Sequence, residues 1–155
     1  MTEAPEPSGV ILRLTSRLIV LDEDDRLLLM RTRYPDTSGA SRWITPGGGV
    51  DPGETHRDAA IRELREETGQ VIVDPGEVFF TEDFVVPWNA ADHTHGHAEF
   101  YVLRLPHFAI VDAGWTDDEK VDIVDSRWWS LTELEATDEP VEPAQLVDRL
   151  KEILA

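Results

Sequence analysis

Apolar and polar positions along the chain divide it into short blocks with two different periods. Val10 to Leu21 is rich in Val, Ile, Leu and Thr, a composition that favours a strand. Asp22-Glu23-Asp24-Asp25 interrupts it as a turn, and Arg26 to Arg33 continues as a second strand, predicting a hairpin. Pro46-Gly47-Gly48-Gly49 signals another turn, with nothing after it that resembles a strand. From about Thr55 to Thr68 there is no Pro or Gly, and Ala, Leu, Arg and Glu dominate, which predicts a helix stopped by Gly69. Pro52 and Glu54 suit the approach to its first turn. Val71 to Val73 reads as a short strand, and Val78 to Val86 as a longer one broken by Glu82-Asp83. Residues 87–92 read as a loop, Ala98 to Leu105 as a strand, and Asp117 to Glu119 as a loop before a strand at Val121 to Val124. Ser130 or Thr132 can cap a short helix, and Pro143 to Leu154 places Leu146, Leu150 and Leu154 at i+4 steps, an amphipathic helix. Hairpin strands, a central helix, more strands and a terminal helix predict an α/β fold with a mixed sheet between helices.

The central helix carries the candidate chemistry. At 3.6 residues per turn, with Glu63 at zero, Glu67 lies at roughly +40° and Glu66 at roughly −60°. Three carboxylates thus share one side. Ala59 and Ala60 lie on that side one turn earlier, and Ile61 and Leu64 on the flank can face a core. Like charges at this spacing cost a few tenths of a kcal/mol per pair. The face therefore meets either bulk water or a hard cation such as Mg²⁺, which takes oxygen ligands and keeps several waters.

The wider pattern favours the cation. Gly48, five residues, Glu54, seven residues, then Arg62-Glu63-Leu64-Arg65-Glu66-Glu67-Thr68-Gly69 resembles the box of the Nudix hydrolases, G-x5-E-x7-R-E-U-x-E-E-x-G-U, with U a bulky apolar residue. Gln70 departs from it at the last position, which touches packing at the helix end and not the carboxylates. The resemblance implies a Nudix-like α/β/α sandwich. It also implies a hydrolase that cleaves the pyrophosphate bond of a nucleoside diphosphate linked to another group, with Mg²⁺ as cofactor and Mn²⁺ as a substitute. By the same resemblance Glu63, Glu66 and Glu67 are metal ligands, the Gly47 carbonyl adds another, and Glu54 supports the loop or holds metal through water. Arg62 holds the glutamates in place. The general base stays open among Glu66, Glu99 and the acids from Asp117 to Glu119. A rival reading is a binding module that senses a nucleotide metabolite without cutting it; such domains usually lose the box glutamates, all present here.

Outside the box, Arg31, Arg33 and Arg42 form a local positive excess, either a solvated edge or a phosphate-binding set. Trp88 either stacks on a base or packs over the sheet edge. His93, His95 and His97 alternate as a metal triplet would in a strand, although Gly96 weakens that geometry; the alternatives are a pH-sensitive or phosphate-contacting loop, or plain solvent exposure. Glu99 sits among apolar residues, where it needs either an arginine partner or a metal.

Composition narrows the partners. At 155 residues one domain is expected, spanning 10–155 behind a polar tail at 1–9 that does not read as a secretory signal. No cysteine excludes a disulfide, a thiol nucleophile and the usual isoprenoid-isomerase chemistry of Nudix relatives, and it suits a reducing cytoplasm. No stretch approaches the ~20 apolar residues of a membrane span. A net charge of −18 argues against a nucleic-acid duplex as partner, whereas a phosphorylated small-molecule substrate remains compatible with metal neutralisation. Exposed tryptophans would pack either at a homodimer interface or within the monomer.

Overall fold

Alternation along the first strand sets up the two cores. In the computed structural model, residues 10–36, 38–85 and 93–155 are described; the expected tail and Trp88 lie outside them. Leu12–Leu21 forms β1. Leu18 and Val20 point to one side and Ile19 and Leu21 to the other, all fully buried. A strand whose apolar residues run without a polar break must be covered on both faces. Helix α1 (His56–Thr68) covers one face through Ala60 and Leu64, together with Leu28, Tyr101 and Leu103. Helices α3 (Leu131–Ala136) and α4 (Leu146–Leu154) cover the other through Leu134, Leu146 and Leu150, against Trp43, Phe80, Phe100 and Trp129. The result is the expected α/β/α sandwich.

Between those layers the remaining strands are β2 (Leu27–Arg33), β3 (Ser41–Ile44), β4 (Gly47–Gly49), β5 (Val78–Val85), β6 (His95–Arg104), β7 (Ile123–Trp129) and β8 (Val141–Glu142); α2 spans Asp117–Asp122. The sheet runs β5-β6-β1-β2-β3-β8, with β4 paired to β1 and β7 to β2. β1 with β6 and β3 with β8 are parallel, and the other pairs antiparallel, so the sheet is mixed. The β1–β2 turn is closed by Asp22, whose Oδ1 accepts the backbone N–H of Asp24 and of Arg26, both at 2.9 Å. Helix α1 starts at a capping box in which Thr55 and Asp58 exchange side-chain and backbone bonds, and it stops at Gly69, whose φ of 85° suits glycine.

Several expectations need correction. Gly47–Gly49 is a short strand and not a turn: Ser16 and Arg17 of β1 leave no space for a side chain at Gly47, and Glu63 leaves none at Gly48, so glycine serves close approach. Val71 to Val73 forms no strand, and Val71 and Val73 face solvent, with no partner strand among the described residues. Glu82-Asp83 do not break β5; they pair with Ala98 and His97 of β6. Asp117 to Glu119 open a helix because Thr116 caps it through Glu119, so Val121 is helical and β7 starts at Ile123. The terminal helix begins at Leu146, after a two-residue strand that pairs with β3. Among the described residues no helix is long and apolar enough to cross a membrane.

Candidate active site

Strand β4 and helix α1 build the site between them. Gly48 lies directly under the Glu63 carboxylate; a Cβ there would stand 2.5 Å from Glu63 Oε1. Gly47 has a φ of 148°, and a Cβ there would meet the Ser16 carbonyl at 2.2 Å. Bare backbone is thereby brought against the acidic side of α1. Glu63 and Glu67 are only 8% and 6% exposed, so the acidic face is not the solvated one that an acidic composition would suggest. The Gly47 N–H donates to Glu67 Oε2 at 3.5 Å. Glu119 of α2 completes a trio whose carboxylate oxygens lie within 4.8 Å of one another.

Glu119 reaches this position because α2 is moored to the end of α1. The Trp115 indole N–H donates to the Glu67 carbonyl at 2.8 Å, and the Val111 N–H to the Thr68 carbonyl at 3.0 Å. Gly114 lies against the Glu66 backbone, where a Cβ would stand 2.7 Å from its carbonyl oxygen. Thr116 then caps α2 and accepts the Glu119 N–H at 3.1 Å.

Glu63 and Glu67, close together in a water-poor position, hold protons tightly. Burial pushes the Glu63 carboxyl above its ordinary range, with the Arg62 charge offsetting part of it. Burial pushes Glu67 up further and the Glu63 charge adds to that, while the Arg17 guanidinium works against it. A divalent cation would remove this penalty, and the all-oxygen donor set fits a hard ion such as Mg²⁺ or Mn²⁺.

Arg62 frames the trio. Its Nε and Nη2 grip both oxygens of Glu54 at 2.7 and 2.9 Å, and Nη2 also donates to the Gly49 carbonyl at 2.8 Å. Its Nη1 donates to Glu63 at 2.9 Å and to Glu66 at 3.2 Å. Hydrogen bonding to Glu54 is the main reason its guanidinium is held above its ordinary value, and Glu54 is correspondingly lowered.

A cleft of about 720 Å³ opens beside the trio, with Gly47, Gly48, Glu63, Glu67 and Glu119 in its wall. Arg13, Arg17, Arg33 and Arg42 also line it. Arg17 Nη1 donates to the carbonyls of Thr45 and Gly47 at 3.1 and 3.2 Å.

The expected residues divide accordingly. Gly47, Glu63 and Glu67 meet at the cleft. Glu66 and Glu54 stand beside it in the grip of Arg62, and neither belongs to the trio. Glu99 points to the opposite side of β6 from the cleft-lining Ala98 and Phe100, and sits with His56 and His97. The acid that stands beside Glu63 and Glu67 is Glu119, from the run Asp117 to Glu119 that was its rival. Arg33 and Arg42 line the cleft, but Arg31 turns away and lies 6.0 Å from the Trp43 ring centroid. Of the three histidines, His93 lines the cleft, His95 contacts Thr94, and His97 joins His56. Arg13, Arg17 and His56 were missed; the alternation Arg13-Thr15-Arg17 along β1 was the available signal for the first two.

Comparison with known proteins agrees with this geometry. The family model for the NUDIX domain matches residues 12–150. The chain is 51% identical over 47 residues to diphosphoinositol polyphosphate phosphohydrolase 3-alpha of Mus musculus, covering 30% of this chain and 26% of that protein. It is 39% identical over 69 residues to RNA pyrophosphohydrolase of Erythrobacter litoralis, covering 44% of this chain and 42% of that protein. The match thus spans less than half the length of each of these relatives. The MutT protein from Methanosarcina mazei Go1 superimposes with a TM-score of 0.69 at 20% identity, over 92% of this chain and 93% of that one. The NUDIX domain of Shewanella oneidensis NrtR, complexed with ADP ribose, gives 0.68 at 20% identity over 97% and 94%. These structures share the fold. With the family model spanning nearly the whole chain and the glutamate helix set against the glycine strand, the chain belongs to the Nudix family.

Proposed function

We propose that this chain is a Mg²⁺-dependent pyrophosphohydrolase acting on a nucleoside diphosphate linked to another group. The observation that carries the reading is the convergence of Glu63, Glu67 and Glu119 in the wall of an arginine-lined cleft. Buried carboxylates invite a cation, and forked cationic side chains across from them suit phosphate oxygens. Glu63, Glu67, Glu119 and the Gly47 carbonyl would hold the metal. When bound, it supplies charge neutralisation for the phosphates and lowers the pKa of a coordinated water. Arg13, Arg17, Arg33 and Arg42 bind the phosphate chain and hold its orientation. Arg62 keeps Glu63 and Glu66 in place. Glu66 and Glu119 are the candidates to take the proton from the attacking water. The cysteine-free composition fits a reducing cytoplasm as its compartment, and 10–155 serves as one domain.

The test is release of phosphate or nucleotide from a panel of diphosphate metabolites, namely ADP-ribose, nucleotide sugars and dinucleoside polyphosphates, with Mg²⁺ and with EDTA. Mg²⁺-dependent release is expected. Tight binding without release would transfer the chain to the sensor class, and neither binding nor release from any member would reject the reading.

A further inference from the structure

A second group of metal-ligating side chains lies away from the carboxylate trio. His56 is the first residue of α1, while His97 and Glu99 alternate on the face of β6 turned toward that helix. His97 Nε2 is 3.3 Å and His56 Nε2 3.6 Å from the same oxygen, Glu99 Oε2, and one ligand atom from each residue lies within 4.8 Å of the other two. The side chains are 18%, 25% and 23% exposed, so an ion can reach them without unfolding.

Their hydrogen bonds fix which atoms face inward. Ser16 Oγ donates its one proton to the His56 carbonyl at 2.7 Å, so toward His56 Nδ1, 3.1 Å away, it can only accept. His56 Nδ1 therefore carries a hydrogen. His97 Nδ1 lies 2.7 Å from Asp83 Oδ1, a carboxylate that only accepts, so it too carries a hydrogen. In the neutral rings both Nε2 atoms then present lone pairs toward the Glu99 carboxylate. Three electron-pair donors crowd one another there, and either a proton on His97, favoured by its hydrogen bonds to Asp83 and Glu99, or a metal ion in its place relieves them. Histidine ligands that donate their other ring N–H to a carboxylate or similar acceptor are the usual support of a metal centre.

We propose that His56, His97 and Glu99 form a second metal centre, selective for Zn²⁺-class ions. Zn²⁺ takes nitrogen and oxygen ligands at ~2.0–2.2 Å, which at tetrahedral angles places ligand atoms about 3.3–3.6 Å apart. The two separations to Glu99 Oε2 match that spacing. Two imidazoles and one carboxylate suit Zn²⁺ or Co²⁺, whereas the trio at the cleft offers only oxygen, so the two centres take different metals. The fourth position is left to water. Such an ion fastens the first turn of α1 to β6 across Ser16 of β1, at the end of the helix remote from Glu67.

The proposal is tested on the full chain by Co²⁺ titration in excess Mg²⁺, which fills the oxygen site. One equivalent of Co²⁺ with the visible absorption of a tetrahedral site is expected. H56Q and H97Q should each weaken it at least about tenfold, while E67Q should leave it intact. Without any substitution, the ¹⁵N resonances of His56 and His97 Nε2 should shift together on adding one equivalent of Zn²⁺. No ring shift on Zn²⁺ addition overturns the proposal. So does Co²⁺ binding that survives H97Q and disappears in E67Q, because the ion would then occupy the cleft.

Discussion

Replacing Gly48 by alanine isolates the contribution of Glu63 geometry from that of the fold. Gly48 does not occupy a left-handed conformation, so alanine is compatible with its backbone. The added methyl would stand 2.5 Å from Glu63 Oε1, 2.7 Å from Cδ and 2.9 Å from Oε2. Ordinary contact needs roughly 3.5 Å, so the carboxylate must retreat by about 1 Å. It cannot swing freely, because it is buried and held by Arg62 at 2.9 Å. Metal–ligand distances tolerate only ~0.2 Å. A misplacement of about 1 Å at a reacting centre costs on the order of 10² in rate, or about 2.7 kcal/mol. Steady-state kcat/KM for Mg²⁺-dependent product release should fall by about that factor, while the far-ultraviolet circular dichroism spectrum stays unchanged. Gly49→Ala is the control, since its methyl would meet only the mobile Arg13 guanidinium, at 3.3 Å, and activity should stay within about threefold. A Gly48→Ala enzyme as active as the parent would refute the placement of Glu63 at the metal.

Three further substitutions probe the charges. Glu67 titrates above its ordinary range in the fold, so stability without metal declines as pH rises from the unfolded value, about 4.3, toward the folded one. Glu67→Gln should remove that slope and raise Tm in EDTA at pH 7 by about 2–4 °C, while abolishing turnover; an unchanged or lower Tm in scanning calorimetry would count against it. Arg62→Lys keeps the charge but loses the fork on Glu54, and the Mg²⁺ concentration for half-maximal activity should rise about 10- to 100-fold in a metal titration. Asp22 is fully buried; burial alone would raise its carboxyl, but hydrogen bonds from His107 and from the Arg26 and Asp24 amides outweigh it and hold the carboxyl below its ordinary value. Its stabilisation is complete above the unfolded pKa of about 3.9 and is lost as pH falls through the lower folded value. Asp22→Asn should cost about 1–3 kcal/mol at pH 7 and flatten the acid limb of a urea-denaturation series; an acid limb as steep as the parent's would contradict this role.

Local signals made α1 legible, because its caps and its carboxylate spacing all lie within one segment. Thr55, Gly69 and the Arg62-to-Glu67 run needed no distant partner to be read. Glycine 47 to 49 misled for the opposite reason: three glycines look like a turn until a neighbouring strand supplies the backbone they pair with. Glu99 and Glu119 show the same limit at the site. Which of two acids reaches Glu63 depends on the face of β6 and on the mooring of α2 by Trp115, and neither is written in local spacing. His56 was invisible as a ligand because its companions lie some forty positions further along the chain. Arg17 was overlooked although a strand's alternation placed it beside Arg13.

The tether between the Trp115 indole and the Glu67 carbonyl has a bearing on how this molecule can change. All three members of the carboxylate trio ride on one mechanical block, the helix and the segment bolted to its end. The far wall of the cleft, around Glu82 and Phe84 on β5, belongs to a separate part of the sheet. If the proposed chemistry holds, side chains on that wall can be exchanged to admit a different leaving portion without retuning the hydrolytic apparatus. A new preference would then evolve by swapping one lining of the cavity while the other stays fixed.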